Sequence, residues 1–376
     1  MAAMYKVCTI VGTRPEIIKL SEVIKRLDSC TDHTLVHTGQ HYDANLSAIF
    51  FKDLDLRQPD LYLEAEGDTP VAYIGDSLSK FDALLGKHEF DAVLVYGDTN
   101  SAICTYAAKR RKIPIFHMEA GNRCFDSRVP EEINRKIIDH LADVNLTITE
   151  HARRNLLREG LDPQFVYKVG SSMPEIFETH ELKLKQSKDV LKELGLEPGS
   201  YYIVSIHREE NTSNPEYLDT LASLLNTLLE SKDVLMPMHP KTAALFAERA
   251  SALVEKWRYH LRVTEPLGFI DFVSLQKEAA CTISDSGTIF EESSILGFPA
   301  VTVRDSFERP EGLDGGGIIV CSWDVDKIVE AVSVVSEWNS LQREVPVYPG
   351  GSVSRRVVGL ILSLIDKVKA KSYFQV

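Results

Sequence analysis

The sequence predicts an α/β protein of two Rossmann-like halves facing each other across a cleft. Short apolar, β-rich runs alternate with helix-period segments along most of the chain. Many of these runs end in a turn rich in Gly, Asp or Ser that opens a helix, as parallel βα units do. The alternation loosens at about 171–200 and restarts at YYIVSIHREEN (201–211), so a single sheet does not account for all 376 residues. The expected domains are 1–170 and 171–351.

Taken in order, YKVCTIV (5–11) reads as the first strand. Gly12-Thr13-Arg14-Pro15-Glu16 follows, then a helix with Ile17, Leu20, Ile24 and Leu27 on one face. Such a turn can receive an anion on backbone N–H groups, with Arg14 and Lys19 adding mobile positive charge. It can equally be an ordinary βα turn. The dinucleotide pattern G-x-G-x-x-G is absent, so no NAD is expected. TLVHTGQ (34–40) is a second strand, ending at Gln40, and a helix is expected near 70–86. DAVLVY (91–96) reads as a buried parallel strand leading through Gly97-Asp98-Thr99-Asn100 into a helix at 101–111. Asp98 could serve merely as that helix's cap. IPIFHMEAG (113–121) is another strand ending in an acid, Glu119, and Pro130 opens a helix carrying Glu131 and Arg135. VNLTIT (144–149) and FVYKVG (165–170) complete the first sheet.

In the second half, strands at 201–211, 233–242, the LRVTEP segment, the CTISDSG segment and 299–305 alternate with helices at 215–230, 241–256 and 271–278. Asp285-Ser286-Gly287-Thr288 opens a helix with Glu291 and Glu292, a second small-residue anion seat. The last helix, 352–371, is amphipathic through Val357, Leu360, Ile361 and Leu364.

A net charge of −13 argues against nucleic acid or an anionic membrane as partner. Six scattered cysteines show no metal-ligand spacing, so no metal is expected, and they point to a reducing, cytoplasmic setting. The cleft would be lined by Arg14, Lys19, Asp98, Glu119, Glu131 and Arg135 from one half. His207, Arg208, His239, Ser286, Gly287, Glu292 and Arg309 would line it from the other, and Gln40, Asn122, Phe272 and Thr288 complete the expected substrate contacts. A diphosphate suits the Ser286-Gly287 helix start with Arg14 or Arg309, and a ribose diol suits the Glu292 carboxylate. The remaining carboxylates would face the group attached to that diphosphate, which suits chemistry on a nucleotide-linked sugar.

GTRPEIIKL, HTGQH, GDTNS, HMEAGNRCFD, VPEEINR, HREEN, SDSGT-x-x-EES and ERPE occur in this order between residues 12 and 311. Together they resemble the non-hydrolysing UDP-N-acetylglucosamine 2-epimerase family. The resemblance implies a glycosyltransferase-B-like fold whose last helix (352–376) packs back on the N-terminal domain, and a homodimer. It implies anti elimination of UDP to a 2-acetamidoglycal and re-addition, without cofactor. Asp98, Glu119 and Glu131 would be the acid/base carboxylates and His207 the group at the leaving diphosphate. Arg14, Lys19, Ser286, Gly287, Glu292 and Arg309 would contact UDP. Asn122, the Thr-Ser after HREEN, and Thr288 depart from the D-gluco members. With MEAGNRCFD they are similar to the branch that makes UDP-N-acetyl-L-fucosamine from UDP-2-acetamido-2,6-dideoxy-L-talose. A glycosyltransferase, a hydrolysing epimerase and a non-catalytic nucleotide-sugar binder are the rival classes.

Overall fold

The computed structural model describes residues 4–40, 44–186, 189–206, 215–338 and 347–373. The run AVLVY forms strand β4 (Ala92–Tyr96), buried at every position. Strands buried on both faces in this way belong to a parallel sheet covered by helices. β4 pairs with β1 (Lys6–Val11) on one side and β5 (Ile115–Met118) on the other. With β2 (Asp32–His37), β3 (Leu61–Tyr62), β6 (Val144–Thr147) and β7 (Val166–Lys168), they make a seven-stranded parallel sheet ordered β3-β2-β1-β4-β5-β6-β7.

The second sheet has six parallel strands ordered β10-β9-β8-β11-β12-β13. They are β8 (Tyr201–Ser205), β9 (Asp233–Pro237), β10 (Leu261–Thr264), β11 (Cys281–Ser284), β12 (Ala300–Val303) and β13 (Ile318–Cys321). Each sheet reverses its winding once, between β1 and β4 and between β8 and β11. Open α/β sheets bind ligands beyond the carboxyl ends of the strands at that switch.

The chain divides into two compact units, Met1–Glu178 with Pro349–Val376, and Thr179–Tyr348. Each has its own apolar core. Ile10, Phe81, Val95 and Ile138 belong to the first, and Val204, Leu224, Phe246 and Ile283 to the second. The last helix, Val353–Tyr373, is part of the first unit and buries Val357, Ile361, Ile365 and Val368. Lys369 pairs with Asp91 and Lys371 with Asp162, each at 2.6 Å. The Tyr373 hydroxyl donates to Asp143, and Arg356 donates to the Val169 carbonyl.

The fold departs from the expected elements in several places, including unexpected helices at Ala44–Asp53, Glu150–Arg158 and Val325–Glu337. Residues 171–200 are not loose: short helices occupy Met173–Thr179, Glu181–Gln186 and Asp189–Glu193. The expected 241–256 helix divides into Pro240–Arg249 and Ser251–Lys256, because Ala250 leaves helical geometry at φ −108° and ψ 27°. β3 and β13 were not anticipated. β3 is two residues long, too short to show a period, and β13 follows a run of three glycines that reads as loop.

Candidate functional site

Two acids, Asp98 and Glu119, follow the neighbouring strands β4 and β5 at the carboxyl edge of the first sheet, and a third, Glu131, opens the helix Pro130–Leu141. Gly97, at φ +70°, turns the chain sharply after β4 and presents Asp98. Asp98 Oδ2 accepts from both Arg135 Nε and Nη2, at 3.0 and 2.5 Å, in charge-assisted bonds. Asn134 Nδ2 donates to the Asp98 carbonyl at 3.0 Å and to Asn100 Oδ1 at 2.9 Å, fixing the turn itself. Asn134 and Arg135 stand on the helix Pro130–Leu141, which Pro130 opens in its first turn.

Glu119 follows β5 and sits at φ +66°, a left-handed backbone that costs a residue with a Cβ about 1–2 kcal/mol. Its Oε2 accepts from Lys19 Nζ and from the Tyr96 hydroxyl, both at 2.8 Å. Lys19 also lies 5.4 Å from the centre of the Tyr96 ring. Lys19 is buried in this pair and is not the mobile cation expected from the sequence. Glu131 is half-buried and makes no hydrogen bond or ion pair with the described residues.

Beneath these acids lies a buried polar frame. His117 Nε2 donates to the Gly97 carbonyl at 2.8 Å. Its Nδ1 is 2.9 Å from Asp139 Oδ1, and Asp139 also accepts from the Gly121 N–H and from Arg123. Arg123 continues to Glu159. His117 and Asp139 are fully buried, and together they tie down the backbone beside Asp98 and beyond Glu119. Glu132, also buried, accepts from the Cys124 N–H and from Arg135. Burial opposes its charge, but those donors and Arg135 outweigh it and hold its carboxyl below the usual range.

The turn after β1 corrects an expectation. Gly12 and Thr13 N–H do point at a carboxyl, and it is the chain's own Glu16, which accepts from them at 2.6 and 2.8 Å. Thr99 donates to its other oxygen at 2.6 Å. Burial pushes Glu16 up to about 7, only partly offset by Thr99 and the two N–H donors. The spacing Thr13-x-x-Glu16 is a capping-box signal that could have revealed this from sequence. Arg14, half-exposed at the same helix start, lies 5.7 Å from the Phe50 ring centre. Gln40 Oε1 accepts from the Ser101 N–H and hydroxyl. Asn122 is buried, and its Nδ2 has no hydrogen-bond partner among the described residues.

In the second unit the β11 edge carries the Ser286-Gly287 turn. Ser286 N–H donates to Ser284 Oγ at 3.0 Å, and the Ser286 and Thr288 hydroxyls are 2.9 Å apart. A Cβ on Gly287 would come within 2.5 Å of Glu308 Oε1, so a larger residue there would require the Glu308 side chain to move. Glu308 pairs with buried Arg304. Arg309 is buried and its Nη1 lies 2.9 Å from Glu291 Oε2. Its charge is thus paired with Glu291 inside the unit. Glu292 accepts from Gln276 at 2.9 Å. His239 is exposed after β9, and its carbonyl caps the next helix through the Ala243 N–H. Phe272 packs half-buried against the cluster around Leu191 and Leu275. His207 and Arg208 lie outside the described residues.

The sequence reading overlooked Tyr96, Asn134, Glu16 and Gln276. Only Glu16 carried a local signal; the others are defined by neighbours distant in sequence. Among the described residues, no cluster of three or more His, Cys, Asp or Glu side chains could hold a metal ion. No helix among them is long and apolar enough to cross a membrane.

Comparison with known proteins adds a family to this geometry. The chain is 35% identical over 346 residues to a UDP-N-acetylglucosamine 2-epimerase of Methanococcus maripaludis, covering 89% of this chain and 93% of that one. The structure of a UDP-N-acetylglucosamine 2-epimerase from Rickettsia bellii superposes with a TM-score of 0.90 at 44% identity, covering 99% of this chain and all of the other. The crystal structure of the Methanocaldococcus jannaschii UDP-GlcNAc 2-epimerase, in complex with UDP-GlcNAc and UDP, gives a TM-score of 0.87 at 32% identity, covering 95% and 99% of the two chains. A family model described as UDP-N-acetylglucosamine 2-epimerase matches residues 25–362. On these matches, the chain belongs to the UDP-N-acetylglucosamine 2-epimerase family.

Proposed function

We propose that the protein epimerises a UDP-linked 2-acetamido sugar at C2. The observation that carries the reading is the placement of Asp98 and Glu119 after neighbouring strands β4 and β5, with Glu131 in the first turn of the helix that carries Arg135. Asp98 and Glu119 are held by Arg135 and Lys19, and Glu119 is locked in a strained backbone. Family membership points the same way.

In this reading one carboxylate removes the C2 proton. The C–H electron pair forms the C1=C2 bond, the C1–O bond breaks, and its pair leaves on the β-phosphate oxygen of UDP. UDP then adds back to C1 of the 2-acetamidoglycal while another carboxylate returns a proton to the opposite face of C2. The sequence is redox-neutral, so no cofactor enters the balance. Ser286, Gly287 and Thr288 would seat the diphosphate, and Glu292 the ribose hydroxyls. His207, with Arg208 beside it, would stand at the leaving phosphate.

For the sugar we favour UDP-2-acetamido-2,6-dideoxy-L-talose, giving UDP-N-acetyl-L-fucosamine. MEAGNRCFD, the Thr-Ser after HREEN, and Thr288 support this choice. Asn122 adds a buried amide whose donor needs a partner that the described residues do not supply. Interconversion of UDP-N-acetylglucosamine and UDP-N-acetylmannosamine is the second reading, supported by the names of the relatives.

One incubation in D2O with both nucleotide sugars separates them. Deuterium at C2 of the 6-deoxy sugar alone is expected. Label only in the D-gluco sugar selects the second reading, and label in neither sinks the epimerase proposal. Asp98→Asn should lose the label while holding UDP within about tenfold of wild type.

A further inference from the structure

We propose that Gln276 is a positioning residue that orients the Glu292 carboxylate, so that the second unit prefers a ribonucleoside diphosphate over its 2′-deoxy counterpart. The proposal rests on the reading of Glu292 as the ribose ligand. Gln276 stands on the helix Phe269–Glu278 that precedes β11, and Glu292 on the helix Ile289–Leu296 that follows it. Gln276 Nε2 donates to Glu292 Oε2 at 2.9 Å, and the two residues are 1% and 8% exposed.

Packing gives no reason for an amide at this position. Its neighbours in the helix, Ile270, Val273 and Leu275, are buried apolar residues, and a methionine or leucine would fill a similar volume. Gln276 Oε1 moreover has no hydrogen-bond partner among the described residues. An orphaned buried acceptor costs about 1–3 kcal/mol, which an apolar side chain would avoid. What the amide supplies is a neutral donor aimed at one carboxylate oxygen.

Neutrality matters here. A lysine or arginine in the same place would hold Glu292 equally well but would compete with a hydroxyl for its charge. The adjacent acid, Glu291, is held in that way, by Arg309 at 2.9 Å. Gln276 gives Glu292 Oε2 one fixed N–H donor, which sets the plane of the carboxylate. A ribose 2′,3′-diol offers two O–H donors side by side, and a carboxylate accepts both only when its plane is correctly set. A 2′-deoxyribose offers one donor and gains less from a correctly set plane.

The test is calorimetric titration of wild type, Gln276→Met and Glu292→Gln with UDP and with 2′-deoxyuridine diphosphate. Wild type should prefer UDP by about tenfold or more, since a site built for a hydroxyl discriminates against its absence. Gln276→Met should weaken UDP more than the deoxy ligand and shrink the preference to about a third or less. Equal weakening of both ligands marks a packing role and overturns the proposal, as does an unchanged preference. Absence of any preference in wild type, or its survival in Glu292→Gln, overturns instead the reading of Glu292. Thermal melting checks that each variant folds. Should Gln276→Met fail to fold, Gln276→Asn, whose amide is one methylene too short to reach, is measured in the same way with the same criteria.

Discussion

Glu16 shows how a buried side chain can occupy a site that its own sequence advertises for a ligand. Its carboxyl closes the Gly12-Thr13 turn and reaches across to Thr99, so it joins the end of β1 to the loop that carries Asp98. Burial raises its pKa to about 7 in the folded protein, against 4.5 for a free glutamate. Between those values the folded chain keeps a proton that the unfolded chain has released. The contribution of Glu16 to stability therefore falls as pH rises through that window, by on the order of 1–3 kcal/mol. Glu16→Gln, neutral throughout, lacks that slope. Hydrogen exchange of the β1 amides at pH 5 and pH 8, corrected for intrinsic rates, should show wild type losing protection relative to the variant at the higher pH. An identical difference at both pH values would refute it. Glu119 makes a related point, because a strained backbone at an acid is retained only where the surroundings over-determine it, here through Lys19 and Tyr96.

The turn between β1 and the first helix, Arg14–Cys30, is the element on which the first site depends. A Cβ at Gly12 would lie 2.0 Å from Ser101 Oγ and 2.3 Å from Thr38 Oγ1. Three strand ends thus converge there with no room for a methyl group. Gly12→Ala should destabilise by about 1–3 kcal/mol and displace the Asp98 loop, so turnover should fall as well. Gly75 is the matched control. It sits in the helix Pro70–Leu85 with nothing within 4 Å of an added Cβ, and Gly75→Ala should stabilise by about 0.5–1 kcal/mol. Thermal melts of the two variants decide it, and equal shifts would show that the crowding at Gly12 is relieved by relaxation. At this scale much was legible in the sequence. β4 and β5, with the acids that follow them, read directly because parallel buried strands are continuous apolar runs. β3 and the short helices after residue 171 did not read, since they are brief and lack a continuous apolar run, and β13 was obscured by the three glycines before it.

Over the whole molecule, the chain completes most of the first unit, builds the second, and returns to finish the first. Val353–Tyr373 supplies buried Val357, Ile361, Ile365 and Val368 to the first unit. Its ion pairs with Asp91 and Asp162 lie near the surface and add little, so apolar burial dominates what it contributes. Truncation after Tyr348 should accordingly cost the first unit more than about 5 kcal/mol, while the second unit keeps its own core. Hydrogen exchange should show protection lost across β1, β4 and the first helix but retained in β8, β9 and β11. Protection retained in β1 would mean that the returning helix is dispensable.

By itself, the sequence determined the alternation of strands and helices, the two sheets, and the positions of the acids at strand ends. These follow from local pattern: apolar runs, turn residues and helix starts lie within a few residues of one another. Only the tertiary structure decided which charges are engaged. Lys19 pairs with Glu119 a hundred residues away, Arg135 with Asp98, Arg309 with Glu291, and Gln276 bonds to Glu292 across β11. No spacing rule encodes those partners. Burial sets whether a charged group meets water or another side chain, and burial is a property of the packed fold.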